Sequence, residues 1–263
     1  MSPREKVPRM FTSEPQPTPV DLAFRLAGIS VRVSAWFWAV AALLGWGVCQ
    51  AAAGGDQRQL LAYLAIWVGV VFVSILIHEM GHALAYRRFG IDSRVVLVQF
   101  GGITIPQQWG GRSIRRPAER IAVSAAGPLA QLAFTVAIVA ILKAGGYRVP
   151  FPFEAIGESL GLFEGKLFQS KMLAITVWFL LQVNIFWPLL NLLPVPPLDG
   201  GQIMREGLLM AGVADATRTA TIVGMVTGGA VAWWAFNNGQ TYMAVLFVVL
   251  AVSCYQSLRG PWR

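Results

Sequence analysis

Six long apolar runs dominate the chain, at roughly 33–53, 60–86, 121–142, 172–193, 219–236 and 241–258, separated by polar or glycine-rich breaks. A helix rises about 1.5 Å per residue, so ~20 apolar residues cross a hydrocarbon core of ~30 Å. Most of the runs are long enough to span, the last two at the short end of the range. The pattern predicts an all-α polytopic membrane protein of about six transmembrane helices.

Two interruptions do not fit a plain bundle. Between the second and third runs, VVLVQFGGITIP at 95–106 sets two short β-favouring runs about Gly101-Gly102, which predicts a membrane-associated β-hairpin turning at the glycine pair. After the fourth run, NLLPVPPLDGGQIM at 191–204 carries Pro194, Pro196 and Pro197. Proline lacks the N–H and obstructs the preceding turn, so the helix must end there. Asp199 then falls on irregular backbone, followed by two glycines suited to a tight turn. Such backbone is tolerated at membrane depth only when buried in protein or lining a wet cavity. The third run opens with Ala126-Gly127-Pro128, small residues that let helices approach closely in lipid.

Composition agrees, being 56% hydrophobic and 13% charged. With the N-terminus inside, sixteen of the 21 basic residues flank spans on the cytoplasmic side, among them Arg87, Arg88, Arg115, Arg116 and Arg120. The positive-inside bias thus predicts both termini on the cytoplasmic side, and the location expected is a bacterial cell membrane. The same placement assigns the +8 charge to topology and anionic lipid, and no nucleic-acid partner is expected. Residues 1–32, with five prolines and no apolar core, read as a cytoplasmic tail and not as a cleavable signal peptide. Residues 33–258 form one membrane domain with its core at about 60–204, and 259–263 a short cytoplasmic end. Cys49 and Cys254 are membrane-buried small residues in this reading, with no metal-like neighbours.

Candidate chemistry concentrates in ILIHEMGHALAYRRFG, residues 75–90, which holds both histidines of the chain. His78 and His82 are one helical turn apart on one face and can point at one metal ion. Glu79 lies about 100° around the helix, placed to reach a metal-bound water without ligating. His78 is nine residues before Arg87, about 13 Å inside the membrane boundary by helical rise. Ionisable groups at such depth cost several kcal/mol unless they serve a purpose. A tetrahedral catalytic zinc wants three protein ligands. With no further histidine, the third must be a carboxylate, a cysteine or a group from a partner; Asp199 is the best-placed carboxylate. Its competing role is helix N-cap ahead of GGQIMREGLLM.

HEMGH in one span, GGITIP after it, AAGPLAQ opening the next and NLLPVPPLDGG ending the one after together resemble the site-2 proteases, the intramembrane zinc metalloproteases of peptidase family M50. The resemblance runs from 75 to about 204 and is closest to compact members whose zinc site faces the cytoplasm. It implies one zinc ion per chain on His78, His82 and Asp199, with Glu79 as general base. It implies that Asn191 holds the substrate backbone or the developing oxyanion, with Asn184 either a further contact or a helix-packing amide. Gly101 and Gly102 fall where the family has a β element beside the site, and the edge of that element could pair with an unwound substrate. The implied partners are the lipid bilayer, a single-span membrane-protein substrate cut in regulated intramembrane proteolysis, and a regulatory membrane protein; nothing in the residues speaks to oligomeric state. Two other classes compete: a metal transporter, disfavoured because no second half echoes the first, and an inactive scaffold, disfavoured because every chemical residue is present.

Overall fold

The computed structural model describes residues 16–99, 101–107 and 113–259. In chain order the elements are β1 (Leu22–Leu26), β2 (Ile29–Val33), α1 (Ala35–Ala53), α2 (Gln57–Arg88), β3 (Ser93–Val98), β4 (Gly101–Pro106), α3 (Pro117–Ala144), α4 (Glu154–Ser159), α5 (Lys171–Asn191), α6 (Asp199–Met210), α7 (Ala216–Asn237) and α8 (Thr241–Arg259). Six of these, α1, α2, α3, α5, α7 and α8, are long and apolar enough to cross a membrane, and they are the six runs legible in the sequence. Large side chains such as Val136, Ile141, Val226 and Phe236 stand exposed on them, as expected where the solvent is lipid.

Local chemistry sets the boundaries. The Asp56 carboxylate accepts from the N–H groups of Arg58 and Gln59, at 2.9 and 3.2 Å, and starts α2. Arg87 and Arg88 close α2, and Gly90, at φ 72°, turns the chain towards β3. Ser170 caps α5 through the N–H of Leu173. Gly81 brings α2 onto α3: a Cβ there would stand 2.5 Å from the Ala126 carbonyl oxygen, so no side chain fits without separating the helices.

The β structure is larger than the expected hairpin. The sheet has four strands in the order β1-β2-β3-β4, antiparallel except for the parallel β2–β3 pair. Its first two strands come from the segment read as tail, where Ala27 and Gly28 both take positive φ, the twist that suits a two-residue hairpin turn. Ile29, Val31 and Val33 alternate inward and, with Val95 and Leu97 of β3, cover Phe37 of α1 and Ile75, Met80 and Ala83 of α2. The sheet therefore braces the half of α2 that bears the histidines. The turn between β3 and β4 is also not where the glycines suggested it. Val98 pairs with Gly101, so Gly101-Gly102 already belong to strand β4, as its first two residues. The glycines are needed for close approach to other parts of the site, described below, and not for the turn.

Asp21 ties this sheet to α1. Its carboxylate accepts from the Thr18 hydroxyl at 2.5 Å, from Arg32 at 2.7 Å and from the N–H of Ala35 at 3.4 Å. These bonds, that from Thr18 foremost, hold its pKa down at about 2, against an ordinary 3.8. A depressed carboxylate stabilises the fold above the unfolded pKa and loses that contribution as pH falls through the folded one. Asp21→Asn should therefore lower thermal stability at pH 7 and flatten the part of the acid-induced loss that falls between about pH 4 and pH 2, measured by pH-dependent melting.

Candidate metal centre and active-site cavity

His78, Glu79 and His82 are buried on α2, and the i, i+4 spacing brings the Nε2 atoms of the two histidines to 3.1 Å. Asp199 places Oδ2 3.1 Å from His78 Nε2 and 3.4 Å from His82 Nε2. The other ring nitrogens are engaged elsewhere: His82 Nδ1–H donates to the Val123 carbonyl at 2.7 Å, and His78 Nδ1–H to Gln131 Oε1 at 2.9 Å. Since a carbonyl oxygen only accepts, each neutral ring carries its proton on Nδ1 and turns the Nε2 lone pair inward. With both rings neutral and Asp199 ionised, two imidazole lone pairs and a carboxylate oxygen face one another, an arrangement that a bound cation would stabilise. Ligands of a tetrahedral zinc at about 2.0–2.2 Å lie about 3.3–3.6 Å apart. The observed separations of 3.1, 3.1 and 3.4 Å come within about 0.2 Å of that range, and these residues form a three-ligand group among the described residues.

Asp199 arrives by way of the proline-rich break. Helix α5 ends at Asn191, and Asp199 is the first residue of α6, so it stands at a helix N-terminus and not on irregular backbone. The two glycines that follow have no positive φ. They serve contact: a Cβ on Gly200 would lie 2.0 Å from the Leu192 oxygen, and one on Gly201 2.4 Å from Pro196 N. Only glycine lets the first turn of α6 sit on the proline loop. Two turns further along α6, buried Glu206 accepts from Arg120 Nε of α3 at 2.9 Å and pairs with Arg205. That ion pair anchors α6, and with it Asp199, to the helix behind the histidines.

Helix α3 supplies the backing of both rings. A Cβ on Gly127 would fall 2.3 Å from His82 Nε2, so the ring occupies the space this glycine leaves. Gln131, fully buried, accepts from His78 and donates through Nε2 to Asn184 Oδ1 at 3.3 Å; Asn184 Nδ2 in turn donates to Ser74 Oγ at 2.8 Å. Asn184, expected as a substrate contact, is thus wholly buried in a chain that orients His78 and does not line the cavity. Asn191 does line it, half-buried, with Nδ2 donating to the Trp187 carbonyl at 3.0 Å.

The cavity, about 530 Å³, is bounded by the His78–His82–Asp199 group, by Gly101 to Thr104 of β4, by Trp187 and Asn191 of α5, and by Leu246, Phe247 and Leu250 of α8. Glu79 lies on its wall. A Cβ on Gly102 would be 2.3 Å from Glu79 Cγ, and one on Gly101 3.0 Å from Trp187, which explains a glycine pair inside a strand. Thr104 Oγ1 donates to Glu79 at the same place, 2.7 Å from Oε2 and 3.0 Å from the main-chain oxygen. Gln131, Thr104 and Glu206 were not singled out from sequence. For Gln131 and Glu206 a signal existed: an amide inside a span, and a carboxylate seven residues beyond Asp199 on the same helical face. For Thr104 there was none.

With this geometry in hand, comparison with known proteins is informative. The profile of peptidase family M50 matches residues 66–235. The chain is 30% identical over 218 residues to Rip3 of Mycobacterium tuberculosis, a candidate zinc metalloprotease, a match covering 77% of this chain and 48% of Rip3. It is 28% identical over 219 residues to YwhC of Bacillus subtilis, named likewise, covering 72% of this chain and 92% of YwhC. The chain thus spans about half the length of Rip3 and most of YwhC. The fold is similar to that of a site-2 protease from Methanocaldococcus jannaschii, with a TM-score of 0.53 at 16% identity, covering 91% of this chain and 95% of that one.

Removing the acceptor of His78 Nδ1–H should be felt at the metal. Gln131→Leu is expected to weaken zinc binding about 10- to 100-fold, the usual effect of losing a partner behind a ligating histidine, as read by zinc retention against graded chelator.

Proposed function

Because this chain belongs to peptidase family M50, we propose that it is an intramembrane zinc endopeptidase of the site-2 protease type, which hydrolyses a peptide bond within or next to the transmembrane segment of a single-span membrane protein. The observation that carries the proposal is the buried convergence of His78, His82 and Asp199 beside Glu79, on the wall of a cavity large enough for a stretch of extended peptide. Zinc held there would polarise the scissile carbonyl and bring the pKa of a water close to ~7. Glu79 takes the proton of the attacking water and returns it to the leaving amine. Asn191, which lines the same cavity, would donate to the substrate backbone or to the oxygen on which charge develops.

A transmembrane substrate hides its peptide bonds in i to i−4 hydrogen bonds and must unwind to be cut. Strand β4 supports this step, since no other described strand pairs with its outer edge. The edge can be read residue by residue. The N–H of Gln107 donates to the Asp92 carbonyl at 2.7 Å, so that pair is of the hydrogen-bonded kind. Alternation then makes 94–105, 96–103 and 98–101 bonded pairs too, leaving the main-chain groups of Gly102 and Thr104 pointing outward. An unwound substrate would recover lost backbone bonds by pairing there. The distribution of basic residues supports a site and termini turned towards the cytoplasm, where regulated intramembrane proteolysis, with a regulatory membrane partner, would release a substrate domain.

Reconstituted protein with a single-span peptide substrate tests the reading. Glu79→Gln should keep its zinc and lose cleavage at least about 100-fold, whereas Asp199→Ala should lose both; full activity in Glu79→Gln would sink the assignment. Pairing along β4 makes a separate expectation. Substrates N-methylated at alternate amides near the cut should be cleaved several-fold more slowly in one register than in the other, and equal rates in both would count against strand addition.

A further inference from the structure

Strand β4 touches the site in two ways, and the two meet at one residue. The main-chain N–H and C=O of Thr104 lie on the open edge of the sheet, by the pairing alternation derived above. Its side chain stands out of the plane of the sheet, onto α2, where Oγ1 sits 2.7 Å from Glu79 Oε2 and 3.0 Å from the Glu79 carbonyl oxygen. Gly102, one step along the same face, leaves the space in which the Glu79 carboxylate rests. Glu79 is buried, and a buried carboxylate without a fixed donor would be free to turn away from the cavity.

We infer that Thr104 is a positioning residue for Glu79: its hydroxyl holds the carboxylate in the orientation needed for proton transfer, so that the strand on which substrate docks also sets the base. This rests on the hydrolytic reading above. A hydroxyl suits the task because it both donates and accepts. It donates to Oε2 when Glu79 is ionised. It accepts from the carboxyl when Glu79 carries the proton in transit, its own proton then turning to the Glu79 main-chain oxygen. Serine can do the same, and valine, of nearly the same shape, can do neither. A substrate pairing with the N–H and C=O of Thr104 would hold the strand still at the residue that orients the base, favouring proton transfer when a peptide is in place.

The test compares Thr104→Val and Thr104→Ser with wild type and Glu79→Gln, all in the full chain with zinc bound. Zinc content and melting temperature are measured first, then kcat and KM on a single-span peptide, and then the infrared carboxylate band that Glu79→Gln removes. For Thr104→Val the expectation is retained zinc, near-native melting, KM within about twofold and kcat lowered about 10- to 100-fold, with the Glu79 band displaced. Thr104→Ser should restore both kcat and the band. Wild-type kcat in Thr104→Val overturns the inference, as does a serine variant no better than the valine one. A raised KM with kcat unchanged also overturns it, by assigning Thr104 to docking alone. An unmoved band in Thr104→Val overturns it whether or not any protein cleaves. Failure of zinc-loaded wild type to cleave, with the band displaced as expected, instead overturns the hydrolytic reading on which the inference depends.

Discussion

The Nε2 atoms of His78 and His82 and Oδ2 of Asp199 stand 3.1 to 3.4 Å from one another, each able to offer an electron pair to a bound cation, inside a protein whose outer surface is made for lipid. Each is costly to bury at that depth, and a bound cation would offset that cost for all three. Much of the fold can be understood as meeting this constraint. The histidines cannot turn away, because the Val123 carbonyl and the Gln131 amide hold their far nitrogens. The aspartate cannot retreat, because its helix is pinned to α3 through Glu206 and Arg120.

Close approach is the second requirement, and glycine meets it wherever backbone or a catalytic side chain must pass. Gly81 seats α2 on α3, Gly127 leaves room for the His82 ring, Gly200 and Gly201 seat α6 on the proline loop, and Gly102 leaves room for Glu79. In lipid, helices gain little from burying apolar surface against one another, so tight packing and buried hydrogen bonds carry the association. The same contacts that hold the helices together therefore define the site. A methyl group at any of these positions would act on stability and chemistry together.

The sheet adds a function that helices cannot supply. A helix satisfies its own backbone and offers nothing to a partner strand, whereas β4 leaves main-chain groups open along one edge. That edge runs past the cavity, and the strand's inner face touches Glu79. Recognition of extended backbone and control of a carboxylate are thus assigned to the two sides of one strand.

The sequence alone determined the six spans, because a run of about 20 apolar residues has few other fates. It also determined the pairing of His78 with His82, which one turn of helix dictates, and the end of α5, which three prolines impose. Asp199 could be selected because few carboxylates sit near membrane depth. What could not be read locally depended on partners distant in the chain. Strands β1 and β2 are short and interrupted by charge, and their hairpin joins the sheet only where β2 meets β3, more than sixty residues later. Gly101-Gly102 resembled a turn because glycine has no side chain to reveal what it faces; only packing shows that it faces Trp187 and Glu79. Asn184, on the same span as Asn191, could be read either as a further contact or as a packing amide, and only its bonds to Ser74 and Gln131 show it turned inward. Periodicity and composition are properties of a segment, and the sequence carries them openly. Which side chain meets which across helices is set by their rotation and separation, and those exist only once the tertiary structure has formed.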